Sequence, residues 1–290
     1  ERWFGPDVTL RIDTSATRCP LESIDFAALR IKDAICDRFR ELAGRRPSVD
    51  RRTPDVRIVA HFTYDRVSLF LDLAGEALFK RGWRLTHGEA PLKENLAAGL
   101  LMLSEWRPEM PLVDPFCGSG TIPIEAALIA KNRAPGLDRS FAAQRRKNTD
   151  SKPWLEAGDE AMDKEFHGHY DIWGGDIDPA AVELARHNAE LAGVEDCIRF
   201  EVADAGKFHR DSEYGQLVTN PPYGERLLEK KEAEDLYRMF GAALRDLPPK
   251  WRVLVLSSHT EFERCFGRPA DKKRKLYNGM IKCDAFMYGR

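Results

Sequence analysis

The sequence predicts an α/β fold whose main body is a doubly wound, mostly parallel sheet of seven strands, preceded by a smaller α+β region. From residue 91 onward, short apolar runs alternate with longer amphipathic segments, a pattern typical of strands alternating with helices. Several of these runs end at Asp or Asn, and such sheets bind their ligands at the carboxyl ends of their strands. Residues 1–75 show a different order, one helix followed by two strands.

Two patterns predict the α+β region. Apolar side chains recur near helical spacing over residues 23–43, and a glycine follows where helices commonly end. Residues 56–62 and 67–71 are rich in β-branched and aromatic side chains and flank a short polar connection, which predicts a hairpin. Residues 76–90, rich in glycine and charge, are interpreted as a linker to a second domain, residues 91–290.

The second domain is predicted to alternate strands and helices. Its predicted strands cover residues 112–114, 170–174, 197–202, 217–219 and 252–256, with a closing hairpin of 276–277 and 281–287 around Asn278-Gly279. Its predicted helices cover residues 92–106, 121–131, 179–192 and 232–247. The polar residues 132–168 interrupt the alternation and are interpreted as a partly helical insertion.

A glycine-containing loop with the sequence D-P-F-C-G-S-G-T begins at Asp114, at the end of the first of these strands. It has neither the spacing of a dinucleotide fingerprint nor the Lys-Ser/Thr pair of a P-loop, so we do not expect it to cradle phosphates. Gly118 and Gly120 would let the backbone turn tightly around a small ligand. Asp114 could accept hydrogen bonds from an ammonium group such as that of S-adenosylmethionine. The alternative is a simple strand-to-helix turn.

Two further acids stand at the ends of the next two strands. Asp176 is expected to bind the ribose hydroxyls of a nucleoside, because one carboxylate can accept hydrogen bonds from both. Asp204 is expected to accept from an adenine amino group. Asp178 is interpreted as the N-cap of the helix that follows. Helix capping for Asp176 and an exposed loop acid for Asp204 are the alternatives.

The tetrapeptide Asn220-Pro221-Pro222-Tyr223 follows the fourth predicted strand. The exocyclic amine of a nucleobase is a poor nucleophile, because its lone pair is delocalised into the ring. The Asn220 side-chain oxygen and the Pro221 carbonyl could both accept its hydrogens, and the prolines would hold these acceptors in place. Tyr223 would stack on the base, which must be flipped or single-stranded. The alternative is a proline-rich turn.

Composition limits the classes of protein that fit. No apolar run is long enough to span a membrane, and the six scattered cysteines favour a reducing, cytoplasmic location. No metal site is predicted, because His167 and His169 have no evident third ligand. Residues 250–290 carry a net charge of +6. The basic run 272–275 in that segment is interpreted either as a phosphate contact or as a solvated edge.

In these motifs the chain resembles the RlmL-type 23S ribosomal RNA guanine-N2 methyltransferases, which have a class I, Rossmann-like fold. The resemblance is carried by residues 88–98, the D-P-F-C-G-S-G-T loop with its helix, and residues 134–137, 220–227 and 272–279. In that family an RNA-binding THUMP domain precedes the catalytic domain. Residues 1–75 resemble only the later part of a THUMP region, so a partial THUMP-like region is expected there.

The resemblance implies methyl transfer from S-adenosylmethionine to the N2 amine of a flipped or single-stranded guanine in large-subunit ribosomal RNA. The target base would be held by Asn220, Pro221, Pro222 and Tyr223. The residues implied in cofactor binding are Asn95, Asp114, Phe116, Cys117, Gly118, Gly120, Asp176, Ile177, Asp204 and Ala205. The N-P-P-Y motif also occurs in N6-adenine methyltransferases. An N6-adenine methyltransferase acting on DNA or RNA, and a non-catalytic RNA-binding assembly factor, therefore remain alternatives.

Overall fold

The computed structural model describes residues 3–84, 92–146, 149–224 and 227–289, with the backbone alone at residues 227 and 228. Contacts group the chain into two units. The smaller unit comprises Glu1–Leu78 and Ser140–Gly158, and the larger unit comprises Phe79–Arg139 and Asp159–Arg290. Residues 140–158, which the sequence assigns to an insertion in the second domain, thus group with the N-terminal residues.

The smaller unit contains a four-stranded sheet and a long helix. Its elements are β1 (Thr9–Thr17), α1 (Ile24–Ala43), β2 (Ser48–Val49), β3 (Val56–Thr63) and β4 (Arg66–Leu71). The strand order is β2-β1-β3-β4, with β1 parallel to β2 and β3, and β3 antiparallel to β4. The predicted helix and hairpin are present, whereas β1 and β2 are additional strands.

The polar composition of β1 explains why the sequence did not indicate a strand there. Asp13 accepts hydrogen bonds from Arg11 on the same strand and from Arg57 on β3. Leu10 is the fully buried apolar side chain of the strand. Asp13 and Arg57 lie 44 residues apart, so no local pattern reveals that they neutralise each other within the sheet.

A backbone hydrogen bond joins residues 140–158 to the N-terminal part of the smaller unit. The Ala143 N–H donates to the Leu73 carbonyl (3.0 Å), and the Phe141 ring stacks on Trp154 with centroids 5.4 Å apart. The segment contains a 3-10 turn, Ala142–Arg145, and the first residues of helix α4 (Lys152–Asp163). The helical content expected of the insertion is therefore present.

The larger unit is a seven-stranded sheet with helices on both faces. Its strands are β5 (Leu112–Asp114), β6 (Ile172–Asp176), β7 (Ile198–Val202), β8 (Tyr214–Thr219), β9 (Lys250–Ser257), β10 (Lys272–Asn278) and β11 (Ile281–Tyr288). Its helices are α2 (Glu94–Leu103), α3 (Thr121–Ala130), α5 (Pro179–Leu191), α6 (Leu227–Ala243) and α7 (Phe262–Phe266). The order is β10-β11-β9-β8-β5-β6-β7, and β11 runs antiparallel to both of its neighbours while the other pairs are parallel. The predicted fold class is confirmed.

The strand order reverses at β5, where β6 and β7 lie on one side and β8 and β9 on the other. Open α/β sheets bind their ligands in the crevice at such a switch point, beyond the carboxyl ends of the strands. Asp114 ends β5 and Asn220 follows β8. The topology thus brings two predicted site residues, 106 positions apart in the sequence, to the same crevice.

Alternate residues of the central strands face opposite layers of helices. In β5, Leu112 packs in the cluster formed with α2, α3 and α5, whereas Val113 packs in the cluster formed with α6 and α7. The second cluster is rich in aromatic rings, among them Tyr237 and Phe262 with centroids 4.9 Å apart. Helix α7 has five residues, too few for the sequence to show a helical period.

Several predicted boundaries differ from the structure, among them the end of the linker and the start of α6. Of the predicted linker 76–90, the structure describes residues 76–84. Trp83 is only 2% exposed and belongs to the core of the larger unit, so the predicted linker is packed at this residue. The helix predicted over 232–247 begins at Leu227, and its last turn is a separate 3-10 turn, Leu244–Asp246.

Gly241 on α6 gives a test of the packing between α6 and α7. A Cβ at this position would lie 2.0 Å from the Phe266 carbonyl oxygen, which is backbone and cannot move aside cheaply. Although Gly→Ala in a helix ordinarily stabilises by about 1 kcal/mol, we expect Gly241→Ala to lower the free energy of unfolding by about 1–3 kcal/mol. Urea unfolding measures this. Gly99→Ala on α2, where the new Cβ meets open space, is the control and should be neutral or stabilising.

Candidate functional site

Two adjoining cavities open at the carboxyl ends of β5, β6, β7 and β8 in the larger unit. The first cavity, of about 540 Å³, is lined by Pro115, Phe116, Gly118, Asp176, Ile177, Ala203, Asp204, Ala205, Asn220, Pro221, Pro222, Tyr223, Gly224, Glu229, Leu236, Asn278 and Ile281. The second cavity, of about 410 Å³, is lined by Leu92, Asp114, Phe116, Cys117, Gly118, Ser119, Thr121, Ile122, Asp178, Ala180, Ala181, Leu184 and Asn220. Phe116, Gly118 and Asn220 line both. The site therefore has two compartments that meet at the loop after β5 and the loop after β8.

Two residues of the predicted site lie outside these linings. Gly120 is buried at the start of α3 with φ of 83°, and a Cβ there would lie 3.0 Å from Ala185, so it serves the turn rather than the cavity wall. Asn95 is exposed on α2, because its neighbours Glu94 and Ala97 occupy the buried side of that helix. The expected contact of Asn95 with a cofactor thus finds no support in the described structure.

Asp176 organises the loop after β5. One of its carboxylate oxygens accepts from the Gly118 N–H (3.0 Å), and the other accepts from the Asp178 N–H (3.0 Å). Gly118 has a φ of 50°, which favours glycine. The Cys117 N–H donates to the Gly175 carbonyl (2.8 Å), so the loop is joined to the end of β6 at two points. Asp176 keeps a half-buried surface on the first cavity.

The other two acids in these loops act as caps. Asp178 accepts from the Ala180 N–H (2.9 Å) as the N-cap of α5, as expected. Asp204 accepts from the Gly206 N–H (2.9 Å) at the start of a short 3-10 turn. Asp204 also lines the first cavity, so its capping role leaves it able to contact a ligand there.

Asp114 is the deeply buried acid of the site, with 1% of its surface exposed. One of its oxygens accepts from the Thr219 hydroxyl (2.6 Å) at the end of β8 and from the Phe116 N–H (3.2 Å). Burial raises the pKa of Asp114 to about 7, against these two hydrogen bonds, and the negative charge of Asp176 adds to the rise. Thr219 is a site residue that sequence reasoning missed, because only the fold brings β8 beside β5.

Two hydrogen bonds hold the Asn220–Tyr223 loop, one between its two ends and one from helix α6. The Tyr223 hydroxyl donates to the Asn220 Oδ1 (2.6 Å). The hydroxyl of Tyr237, a fully buried residue of α6, donates to the Pro222 carbonyl (2.5 Å). Sequence reasoning missed Tyr237, because its apolar spacing on a helix is that of an ordinary core residue. The loop geometry is thus set by groups outside the motif as well as within it.

Tyr223 also connects this loop to the β10–β11 hairpin. Its hydroxyl accepts from the Cys283 thiol of β11 (3.6 Å). Burial raises the pKa of Tyr223 well above its usual range, so the hydroxyl keeps its proton and remains a donor to Asn220. The predicted stacking residue therefore lines the first cavity with its hydroxyl already engaged.

A buried ion pair braces the second cavity. Arg84 and Glu94 approach to 3.5 Å with each side chain only 5% exposed. Arg84 also donates to the Leu92 carbonyl and to the Thr121 hydroxyl, and both of these residues line the cavity. Sequence reasoning missed this pair, because Arg84 lies in a stretch whose glycine and charge content indicated a linker.

Three further features of the described residues are the environment of Cys117, the grouping of possible metal ligands, and the length of the helices. Burial raises the pKa of Cys117 far above its usual range, which suits a packing residue rather than a nucleophile. Within the described ranges, His, Cys, Asp and Glu form no group of three or more that could hold a metal ion. None of the helices in the described part of the chain is long and apolar enough to cross a membrane.

Comparison with known proteins adds two family matches and a curated relative. The family model described as RMKL-like, methyltransferase domain matches residues 81–286, and that of the THUMP domain matches residues 1–72. A Shewanella baltica (strain OS195) protein named Ribosomal RNA large subunit methyltransferase K/L is 42% identical over 98% of this chain. The chain spans 41% of the length of that relative.

Two solved structures are similar over nearly the whole chain. A Listeria monocytogenes structure, described as a predicted N6-adenine-specific DNA methylase, is 37% identical over 99% of this chain and 75% of its own, with a TM-score of 0.90. The protein SMU.472, solved in complex with SAH, is 36% identical over 100% of this chain and 77% of its own, with a TM-score of 0.88. These similarities support the architecture described above.

The raised pKa of Asp114 predicts a specific dependence of stability on pH. Its folded pKa of about 7 exceeds the ordinary value of about 4, so the free energy of unfolding falls as the pH rises from about 4 to about 7. Asp114→Asn removes this proton uptake and keeps an oxygen that can accept from Thr219. The free energy of unfolding of the variant minus that of wild type should therefore be higher at about pH 8 than at about pH 5, by about 1 kcal/mol or more. Urea unfolding at both pH values measures this, and an identical difference at both would contradict the raised pKa.

Proposed function

Because the chain belongs to the RMKL-like methyltransferase family and carries a THUMP domain at its N-terminus, we propose that it transfers a methyl group from S-adenosylmethionine to the N2 amine of a guanine in large-subunit (23S) ribosomal RNA. The observation that carries the proposal is that the Asn220–Tyr223 loop lines the same cavity as Asp176 and Asp204. Acceptors suited to a base amine and carboxylates suited to a nucleoside thus face one space.

The described residues fit S-adenosylmethionine by their chemistry. Asp176 and Asp204 offer half-buried carboxylate oxygens in the first cavity, suited to ribose hydroxyls and to an adenine amino group. Asp114 offers a buried carboxylate in the second cavity, and a neighbouring ammonium group would favour its charged form. When bound, the cofactor supplies an electrophilic methyl group on a positively charged sulfur. Ile177 and Ala205 add apolar surface to the first cavity.

Asn220 is the residue to which we assign polarisation of the target amine. A side-chain amide oxygen has two acceptor positions, and the Tyr223 hydroxyl occupies one of them. The other remains for an amine hydrogen. The Pro221 carbonyl supplies a second acceptor, and because neither acceptor must reorganise, both can draw the amine lone pair out of conjugation with its ring. This role requires positioning rather than a strong base.

The choice of large-subunit RNA rests on the THUMP match and on the name of the Shewanella baltica relative. The Listeria monocytogenes structure is named for N6-adenine in DNA, and an amine acceptor pair does not by itself separate guanine from adenine. N6-adenine methylation is therefore the second candidate function. The hydrogen-bonded Asn220–Tyr223 loop argues against a non-catalytic assembly factor, because such a factor would not need polarising acceptors.

Nucleoside mass spectrometry tests the proposed reaction. The chain is incubated with S-adenosylmethionine and either unmodified ribosomal RNA or DNA, and the digested nucleosides are analysed. We expect N2-methylguanosine in large-subunit RNA. N6-methyladenine in DNA would replace the proposed substrate with the second candidate, and cofactor binding without any methylated nucleoside would favour the assembly factor.

Asn220→Ala tests the proposed role of the side-chain oxygen. We expect the kcat to fall by about 100-fold or more, because one preorganised acceptor is lost, while the affinity for the cofactor stays within about threefold of wild type. Single-turnover kinetics and calorimetry measure the two quantities separately. Tyr223→Phe, which keeps the ring and the Asn220 oxygen, is the matched variant and should lose less activity. Equal losses of turnover and cofactor affinity in Asn220→Ala would assign the residue a structural role instead.

A further inference from the structure

The hairpin of β10 and β11 has two faces with different surroundings. Strand β10 is the edge of the sheet and pairs antiparallel with β11. On the inner face, Leu276 and Cys283 pair across the strands and pack with the core of the larger unit. Asn278 and Ile281, the last pair before the turn, line the first cavity. The hairpin therefore forms one wall of the candidate site.

Near the turn, the outer face of the hairpin is basic and carries an exposed aromatic ring, whereas Phe286, farther from the turn on the same face, is buried in the cluster with α6 and α7. Strand alternation places Lys273, Lys275 and Tyr277 of β10 on this face, together with Lys282 and Asp284 of β11. Tyr277 is 64% exposed and lies directly opposite the exposed Lys282. Adjacent lysines and an open ring are the two components of a surface that binds single-stranded nucleic acid.

The charges on this face are only partly neutralised. Lys273 forms an ion pair with Glu263 at 2.7 Å. Lys275 lies opposite Asp284, yet among the residues that the structure describes neither Lys275 nor Lys282 has an ion-pair partner within 4.0 Å. Two exposed cations are therefore available to a polyanion beside Tyr277.

Protection of a sheet edge does not account for the whole face. Lysines on an edge strand discourage pairing with the strands of other molecules, and this protection alone would explain the presence of Lys275. An exposed Tyr277 gives no such protection, and the turn adds Met280, which is 97% exposed. Apolar and aromatic groups at an open edge beside a cavity instead favour contact with a ligand.

Resting on the proposed function, we propose that the outer face of this hairpin binds the RNA strand next to the target nucleotide, with a neighbouring base stacked on Tyr277 and phosphates on Lys275 and Lys282. Tyr277 and Asn278 are adjacent in sequence, so their Cα atoms are about 3.8 Å apart while their side chains leave the strand on opposite faces. A strand that reaches the cavity beside Asn278 therefore passes the end of the hairpin close to Tyr277. A base held on Tyr277 cannot stack on the target base while that base occupies the cavity. The hairpin thus selects a strand that is locally unpaired.

Binding of a short fluorescein-labelled single-stranded oligoribonucleotide to the full chain, followed by anisotropy, tests this proposal. We expect Tyr277→Ala to raise the Kd roughly tenfold and Tyr277→Phe to keep it near wild type, because stacking needs the ring and not the hydroxyl. Lys275→Ala combined with Lys282→Ala should reduce the slope of log Kd against log salt by about 1.4, for two phosphate contacts.

Tyr214→Ala is the matched control. Tyr214 is 46% exposed but begins β8, at the end of that strand away from the cavities, so its loss should leave the Kd unchanged. A wild-type Kd for Tyr277→Ala, or an equal loss for Tyr214→Ala, overturns the proposal. The wild-type thermal transition of each variant verifies that it folds.

This readout needs neither cofactor nor turnover, so it separates the hairpin from the proposed reaction. If large-subunit RNA gains N2-methylguanosine while Tyr277→Ala keeps the wild-type Kd and KM, the hairpin proposal fails and the proposed function stands. If no methylated guanosine forms but Tyr277→Ala still weakens binding of the oligoribonucleotide, the hairpin proposal stands and the proposed function fails.

Discussion

The hydrogen bond from the Thr219 hydroxyl to Asp114, 2.6 Å long and buried, joins the two halves of the site. It connects the ends of β5 and β8 across the point where the strand order reverses. The loop after β5 is thereby fixed relative to the loop after β8. The pKa of Asp114 is raised to about 7, so this carboxyl group changes its protonation state near neutral pH. The hydrogen bonds that hold both loops therefore depend on the charge of a buried acid.

Further hydrogen bonds fix the same two loops to neighbouring elements. Asp176 fixes the loop after β5 through the Gly118 N–H, and Tyr237 fixes the loop after β8 through the Pro222 carbonyl. Tyr223 then ties Asn220 to the hairpin. Each loop is held by groups on a neighbouring element, so the acceptors proposed for the target amine are in position before any ligand arrives. Preorganisation of this kind is the main source of electrostatic catalysis.

Local motifs predicted a set of residues that the structure places on the two cavities, such as Asn220–Tyr223 and the acids that end β5 and β6. Sequence reasoning did not reach Thr219, Tyr237 or Arg84, because their roles depend on partners far away in the chain. Asn95 lies on the exposed side of α2, because the rotation of this helix about its axis buries Glu94 instead, and that rotation cannot be predicted from so short a helix. Strand β1 was missed because its apolar alternation is short, with Leu10 and Ile12 in the core, and most of its other side chains are polar.

The turn of the β10–β11 hairpin, where Gly279 has a φ of 65°, determines more than the end of a sheet. Side chains alternate along a strand, so a slip of one residue in the pairing of β10 would exchange its two faces. Lys275 and Tyr277 would then turn inward, and Asn278 would leave the cavity wall. The length of this turn therefore determines which side chains of β10 face the cavity. An insertion of one residue there would alter the cavity wall without changing the sequence of the Asn220–Tyr223 loop.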